Sequence, residues 1–247
     1  MTELLPDRCS WSLLAGPIES NPAKCGEIRT VRLDQPEELV DALACQLSTA
    51  ELERARRYYF DRDRRRFIVA RGELRRLLAR ELEVGAQAIE FAYGRYGKPS
   101  LAPPLDGAGL RFNLAHSDDL AVIALCRDRE VGVDVEAIRP MQDEAHLVST
   151  CFSQREQEEY LRVDPAGRTA AFFSGWTRKE AFIKGLGKGL SQPLDSFDVS
   201  VTPAMPAQLL RFENRSGQDC GWCLASFTPA PGFVAAVVTQ GRECLVI

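Results

Sequence analysis

Four side chains in the second half of the chain have the types and spacing to hold a phosphorylated molecule. Asp134 and Glu136 stand two apart in the β-branched run Val131-Gly-Val-Asp-Val-Glu-Ala-Ile138, and side chains two apart on a strand share a face. Paired carboxylates on one face suit a hard divalent cation, since Mg²⁺ is held by one or two carboxylates with waters and substrate phosphates. Glu180 and Lys184 lie four apart in Trp176-Thr-Arg-Lys-Glu-Ala-Phe-Ile-Lys184, one helical turn from each other. Phe172, Phe173, Trp176 and Ile183 form an apolar stripe at helical spacing, which predicts a buried helix face. Glu180 falls on or beside that stripe, where a carboxylate is costly unless paired. The plain alternative is a surface ion pair of Glu180 with Lys184; the apolar neighbours and the acidic strand upstream weigh against it.

Other groups carry weaker signals. His116 sits in the polar segment Leu114-Ala-His-Ser-Asp-Asp119, read as a loop between two strands, where it can offer donors to a phosphate. A lone histidine is more often structural, and two histidines in the whole chain argue against a zinc enzyme. Lys98 stands between Gly97 and Pro99 in a restricted turn; taken alone it is an exposed loop lysine. The basic stretch from Arg54 to Arg80 reads either as solvated surface or as a site for a phosphorylated ligand. Gly185-Leu-Gly-Lys-Gly189 follows a helix rather than a strand, so it matches neither a dinucleotide fingerprint nor a P-loop. It reads as a helix stop, with backbone N–H groups near an anion as the other possibility. No G-x-S-x-G elbow is present.

These groups need elements to position them, and the 247 residues suffice for one large domain or two packed halves. Hydrophobic residues at 45% and charged residues at 27% describe an ordinary globular protein, and a net charge of −4 makes no whole-chain case for nucleic-acid or membrane binding. Met1–Asp7 has no basic segment leading into an apolar core and no run is long enough to span a bilayer, so a cytoplasmic protein is expected. Eight cysteines are scattered, and Cys220-Gly-Trp-Cys223 reads as core packing in a reducing compartment. Short strands are expected from Cys9 to Leu33, and a helix from Pro36 to Leu47 with Asp34 as its cap. Ser48-Thr-Ala-Glu51 is a capping box opening a helix, and another helix spans about Arg62 to Leu82. Strands follow at Ile89–Tyr93, Leu110–Asn113 and Leu120–Cys126, the last apolar enough to be central. Ser153-Gln-Arg-Glu156 opens a further helix, and the last third is strand-rich at Leu209–Glu213, Trp222–Phe227 and Phe233–Gln240. The order predicts two α+β halves, residues 1–128 and 129–247, divided in the connection Arg127–Glu130.

In combination these motifs resemble the Sfp-type 4′-phosphopantetheinyl transferases. The resemblance rests on Tyr96-Gly-Lys-Pro-Ser-Leu101, Phe112-Asn-Leu-Ala-His-Ser117, Val131-Gly-Val-Asp-Val-Glu136 and the Trp176–Lys184 segment in order. Gly187-Lys-Gly-Leu-Ser191 and Leu194-Asp-Ser-Phe197 follow, and Glu180 lies 46 positions after Asp134. Where many members carry serine before the histidine, this chain has Ala115. The resemblance implies two pseudo-symmetric α+β halves with the active site in the cleft between them. It implies transfer of the phosphopantetheine arm of coenzyme A to a serine of an acyl or peptidyl carrier protein, with release of 3′,5′-ADP, by a monomer. It implies Mg²⁺ held by Asp134, Glu136 and Glu180, with Glu180 as metal ligand, as base for the serine directly or through water, or as both, and Lys179 and Lys184 on the pyrophosphate. It further implies His116 and Arg54 on the 3′-phosphate and Lys98 beside the adenine, with the 3′-phosphate and adenine contacts in the first half and the metal and pyrophosphate site in the second. A Mg²⁺-dependent nucleotide phosphotransferase and a non-catalytic coenzyme A-binding module are the rival readings from other classes.

Overall fold

Two successive stretches of the chain fold to one plan. The first runs through β1 (Gly26–Arg32), helices α1 (Glu37–Ala44), α2 (Thr49–Arg56) and α3 (Asp61–Leu82), the hairpin β2 (Phe91–Tyr93) and β3 (Pro99–Leu101), then β4 (Leu110–Ser117) and β5 (Leu120–Arg127). The second repeats it: β6 (Val131–Ala137), then α4 (Glu144–Cys151), α5 (Gln154–Leu161) and α6 (Arg168–Leu186). A small sheet of β7 (Phe197–Val199), β8 (Leu209–Phe212) and β9 (Arg215–Ser216) precedes β10 (Trp222–Phe227) and β11 (Phe233–Gln240). In each stretch the first strand pairs with the last, and the last with the one before it, giving sheets β1-β5-β4 and β6-β11-β10, antiparallel throughout. The computed structural model describes residues 26–203, 205–213 and 215–245. The strands expected from Cys9 onward lie outside the described residues up to residue 25, as does the Met1–Asp7 segment.

β5 explains the layering. Its residues Leu120 to Cys126 are all buried, and period-two alternation sends them to two different cores. Ala121, Ile123 and Leu125 pack under α1 and α3 with Leu43, Leu74 and Leu78. Leu120, Val122 and Ala124 face the other sheet and meet Val131, Val133, Val135, Ala235 and Val237. The two sheets therefore bury their apolar faces against each other, with helices outside. Each large side chain so enclosed contributes roughly 1.5–3 kcal/mol.

α6 is buried on nearly all sides rather than along one stripe, with Phe172, Phe173, Thr177, Ala181 and Phe182 all enclosed. It presses directly on β6, because a Cβ on Gly132 would overlap Ala181 O and Gly185 N. Gly187 ends it in the left-handed region at φ 66°, its N–H donating to Ile183 O and Lys184 O, the glycine stop expected from the sequence. Both capping boxes form as the sequence predicts. Each box acid also closes a buried brace: Glu51 pairs with Arg71 and Arg75, and Glu156 with Lys179. Arg75 donates onward to Ala86 O and Ile89 O, and Lys179 to Leu194 O and Phe197 O. The same device thus ties both long helices to the chain that follows them.

Several local expectations change. Pro36, not Asp34, stands at the start of α1; the Asp34 carboxylate is taken by Arg66. β4 does not end at Asn113 but pairs residue by residue with β5 as far as Ser117 opposite Leu120, so His116 lies on a strand. The polar side chains that suggested a loop find partners across the structure instead, Ser117 with Glu136, Asp118 with Arg66 and Asp119 with Arg32. α4 has no counterpart in the sequence reading. Cys223 is disulfide-bonded to Cys244, which corrects its reading as core packing. Only Cys220 of that pair faces the core, and the turn after β11 returns the chain so that Cys244 meets Cys223 from a distance in sequence. No helix among the described residues is long and apolar enough to cross a membrane.

Candidate active site

The edge strands of the two sheets, β4 and β6, lie side by side and run parallel, joined by side chains. Asn113 Oδ1 accepts the N–H of Val133 at 2.9 Å, and Ser117 Oγ accepts that of Ala137 at 3.1 Å. Along β6, Val131, Val133 and Val135 turn into the inter-sheet core, so Asp134 and Glu136 turn toward α6. Lys184, one turn beyond Glu180 on that helix, places Nζ 2.6 Å from Asp134 Oδ1. The other oxygen, Asp134 Oδ2, is buried without a hydrogen-bond partner. Glu180 has no hydrogen bond to another described side chain, and Glu136 Oε2 accepts from Ser117 Oγ at 2.8 Å and from Arg139 at 3.5 Å.

Electrostatics tie these groups into one cluster. Burial pushes the Asp134 carboxyl up to about 7, with Lys184 opposing and the charges of Glu136 and Glu180 adding to the rise. Burial also raises Glu180, with Lys184 opposing and Glu136 reinforcing. His116 is lowered by burial first, then by Lys184 and Arg66, against Glu136 and Asp63. The histidine of β4 therefore shares a field with the acids of β6 and α6, although its side chain keeps solvent access. Arg66 of α3 lines the N-terminal side, bonded to Asp34 at 2.7 Å and Asp118 at 3.0 Å. Sequence reasoning missed Arg66 because it is one of several arginines in a row; only the packing of α3 over the end of β4 singles it out.

Among the described residues, no three acid, histidine or cysteine side chains already surround a common point as a metal cage. The donor set nevertheless fits a hard cation. Three carboxylates repel one another, two of them are driven toward the neutral form, and one buried oxygen lacks any partner. A divalent cation relieves each of these costs. A surface cavity of about 490 Å³ bounded by Ser153, Arg155, Asp195, Asp198 and Arg211 shares no residue with this cluster, and of its charges Asp198 and Arg211 pair with each other at 2.7 Å.

Comparison with known proteins gives the family. Residues 130–238 match the family described as the 4′-phosphopantetheinyl transferase superfamily, and residues 34–127 match its N-terminal region, described as 4′-phosphopantetheinyl transferase, N-terminal. The chain is 37% identical to the 4′-phosphopantetheinyl transferase HetI of Nostoc sp. over 85% of its own length and 86% of that protein. This chain belongs to the 4′-phosphopantetheinyl transferase family. It is also 34% identical to the 4′-phosphopantetheinyl transferase Sfp of Bacillus subtilis, over 62% of this chain and 66% of Sfp. The crystal structure of Thermotoga maritima holo-[acyl-carrier-protein] synthase (AcpS) superposes with a TM-score of 0.34 and 21% identity, covering 46% of this chain and 64% of that one.

In this phosphopantetheinyl transferase the structure gathers Asp134, Glu136, Glu180, Lys184 and His116 but treats three other expected residues differently. Lys179 is corrected outright. Its side chain has no solvent exposure, and its ammonium is consumed by Glu156 at 2.7 Å and by two backbone carbonyls, so it cannot reach a pyrophosphate beside Lys184. Adjacent positions on a helix face about 100° apart, which sends Lys179 inward and Glu180 to the seam. Lys98 is also engaged: Nζ donates to Glu130 at 2.7 Å, Gly185 O at 2.9 Å and Val131 O at 3.1 Å. Its amine clamps the β2–β3 hairpin to the end of α6 and the start of β6, leaving only its aliphatic stem to meet an adenine. Arg54 is exposed on α2 with its guanidinium over the Phe67 ring at 5.2 Å, and it touches none of the clustered residues.

Proposed function

We propose that the chain transfers the 4′-phosphopantetheine arm of coenzyme A to a serine of an acyl or peptidyl carrier protein. The observation that carries this reading is the meeting of Asp134, Glu136, Glu180 and Lys184 at one end of the β4–β6 seam with His116 and Arg66 across it. A substrate with a pyrophosphate and a separate 3′-phosphate asks for two such groups a short way apart. In the reaction the serine oxygen bonds to the phosphorus bearing pantetheine. The bond from that phosphorus to the bridging oxygen breaks, and 3′,5′-ADP leaves with the electron pair.

Asp134, Glu136 and Glu180 would hold Mg²⁺, which when bound would supply a positive charge against the pyrophosphate and the 5′-phosphate of the departing 3′,5′-ADP. Lys184, already oriented by Asp134, adds a cationic donor on the same side. Glu180, raised by burial against the opposing charge of Lys184 and without a hydrogen bond to another described side chain, is suited to take the serine proton. Neutral His116 can donate one N–H to the 3′-phosphate beside the Arg66 guanidinium, with Arg54 on the neighbouring helix contributing long-range attraction. The division of labour follows the two stretches, 1–128 for the 3′-phosphate and adenine and 129–247 for the cation and pyrophosphate. We take the enzyme to act as a monomer in the cytoplasm; the joining of β4 to β6 through Asn113 and Ser117 within one chain supports the monomer.

The test is incubation of purified apo carrier proteins with the chain, coenzyme A and Mg²⁺, followed by mass spectrometry. The expected result is one phosphopantetheinyl group on the serine peptide with equimolar 3′,5′-ADP. Coenzyme A that binds without release of 3′,5′-ADP on any carrier would leave a binding module instead, and product formed from ATP alone would make it a phosphotransferase.

A further inference from the structure

Ser117 lies next to His116 in the sequence yet makes a different set of contacts. Its hydroxyl does two jobs at once. It donates to Glu136 Oε2 at 2.8 Å and accepts the N–H of Ala137 at 3.1 Å, which uses the single O–H and one lone pair of a serine. The residue is 9% exposed, so the hydroxyl end of the pair is sheltered from competing water. We propose that Ser117 is the positioning residue of the acid centre: supplied by the N-terminal half, it sets the orientation of the Glu136 carboxylate and leaves Oε1 for the cation.

The surroundings make Ser117 a fixed point. It is the last paired residue of β4, opposite Leu120, and the two residues between them turn tightly with Asp118 at φ 49°. Asp118 and Asp119 are held in turn by Arg66 at 3.0 Å and Arg32 at 2.7 Å. Glu136 lies one residue before the end of β6, whose backbone is paired with β11, so only its side chain is loosely held, and its other contact is the long, exposed one to Arg139 at 3.5 Å. Without the hydroxyl, the carboxylate is free to swing toward Arg139 and away from Asp134. Carboxylate ligands that are oriented by an outer hydrogen bond lose affinity for their metal when that bond is removed. The inference rests on the cation-dependent transfer proposed above and adds one thing to it, that the second half's ion site is completed by a side chain of the first.

The experiment titrates Mn²⁺ into the full chain, following free ion by electron paramagnetic resonance, for the parent, Ser117→Ala, Ser117→Thr and Ser117→Val. Thr and Val share a shape and differ in the hydroxyl, so they keep the comparison valid if the alanine variant folds poorly. The expected result is Mn²⁺ affinity about 10-fold or more weaker in Ser117→Ala and Ser117→Val, with Ser117→Thr within about 3-fold of the parent. The Mg²⁺ concentration for half-maximal transfer should move in step, while a purely structural role would lower the unfolding midpoint without separating Thr from Val. Equal affinities for the parent and Ser117→Val, or equal weakening in Thr and Val, overturn the proposal alone. A parent chain that binds no Mn²⁺ and transfers without divalent cation overturns the cation reading beneath it.

Discussion

Replacing Lys179 by methionine separates a brace from a ligand. The side chains of Lys179 and Glu156 are both fully enclosed, and burial drives each toward its neutral form, the lysine down and the glutamate up. Methionine keeps most of the buried apolar volume but removes the charge that Glu156 meets at 2.7 Å, and it strands Leu194 O and Phe197 O. Breaking a buried pair by removing one partner costs about 3–5 kcal/mol. Glu156 retains the N–H groups of Ser153 and Val199, both at 2.7 Å, and can protonate, so the lower end is expected, about 3 kcal/mol. Against a total stability of roughly 5–15 kcal/mol the variant remains folded in the cold. Urea unfolding followed by tryptophan fluorescence gives the stability change, and calorimetry on folded protein gives coenzyme A affinity. Lys179→Met should lose stability while binding coenzyme A within about 2-fold of the parent. Adding Glu156→Gln should cost less than the sum of the two single changes, because the acid then has no charge to strand. A Lys179→Met chain of parental stability that binds coenzyme A tenfold more weakly would refute the reasoning and return the amine to the pyrophosphate.

Three further outcomes follow from the same geometry. Glu180→Gln should slow transfer by roughly 10²–10⁴-fold at saturating Mg²⁺ if the carboxylate takes the serine proton; recovery of rate at high Mg²⁺ would make it a ligand only. His116 is lowered from 6.5 in the folded chain, so its neutral form prevails near neutrality and its unfavourable charging costs stability as pH falls below about 6.5. A phosphate beside it reverses the shift, and coenzyme A binding should take up a proton near pH 6 to 7, seen by calorimetry in two buffers and absent in His116→Gln. Asp134 is raised from 3.8 to about 7, so the folded chain binds the extra proton in that window. Stability without divalent cation should therefore fall as pH rises from about 4 to about 7; urea midpoints of Asp134→Asn should lack that part of the slope.

How far the amino-acid order reaches is clear from particular residues. The acid pair of β6, the Glu180–Lys184 turn and both capping boxes are local patterns, with periods of two and near four, and neighbours in the chain suffice to specify them. The unbroken apolar run of Leu120 to Cys126 likewise announces a central strand. The repeat of strand order was legible only as two α+β runs, since pairing of first strand with last is a long-range choice. His116 was misplaced in a loop because polar residues at a strand end look like a turn until a partner strand is known.

The linear chain by itself determined which groups are available and on which face of their own strand or helix they stand, because backbone periodicity is a property of consecutive residues. Only the tertiary structure decided where each ammonium and carboxylate spends its charge. Lys179 and Lys184 occupy the same helix with equal intrinsic chemistry; a rotation of about 100° per residue commits one to a buried brace and the other to Asp134. Ser117, Arg66 and Cys244 acquire their partners from segments remote in sequence, and no local rule encodes a contact that exists only once distant segments have packed together.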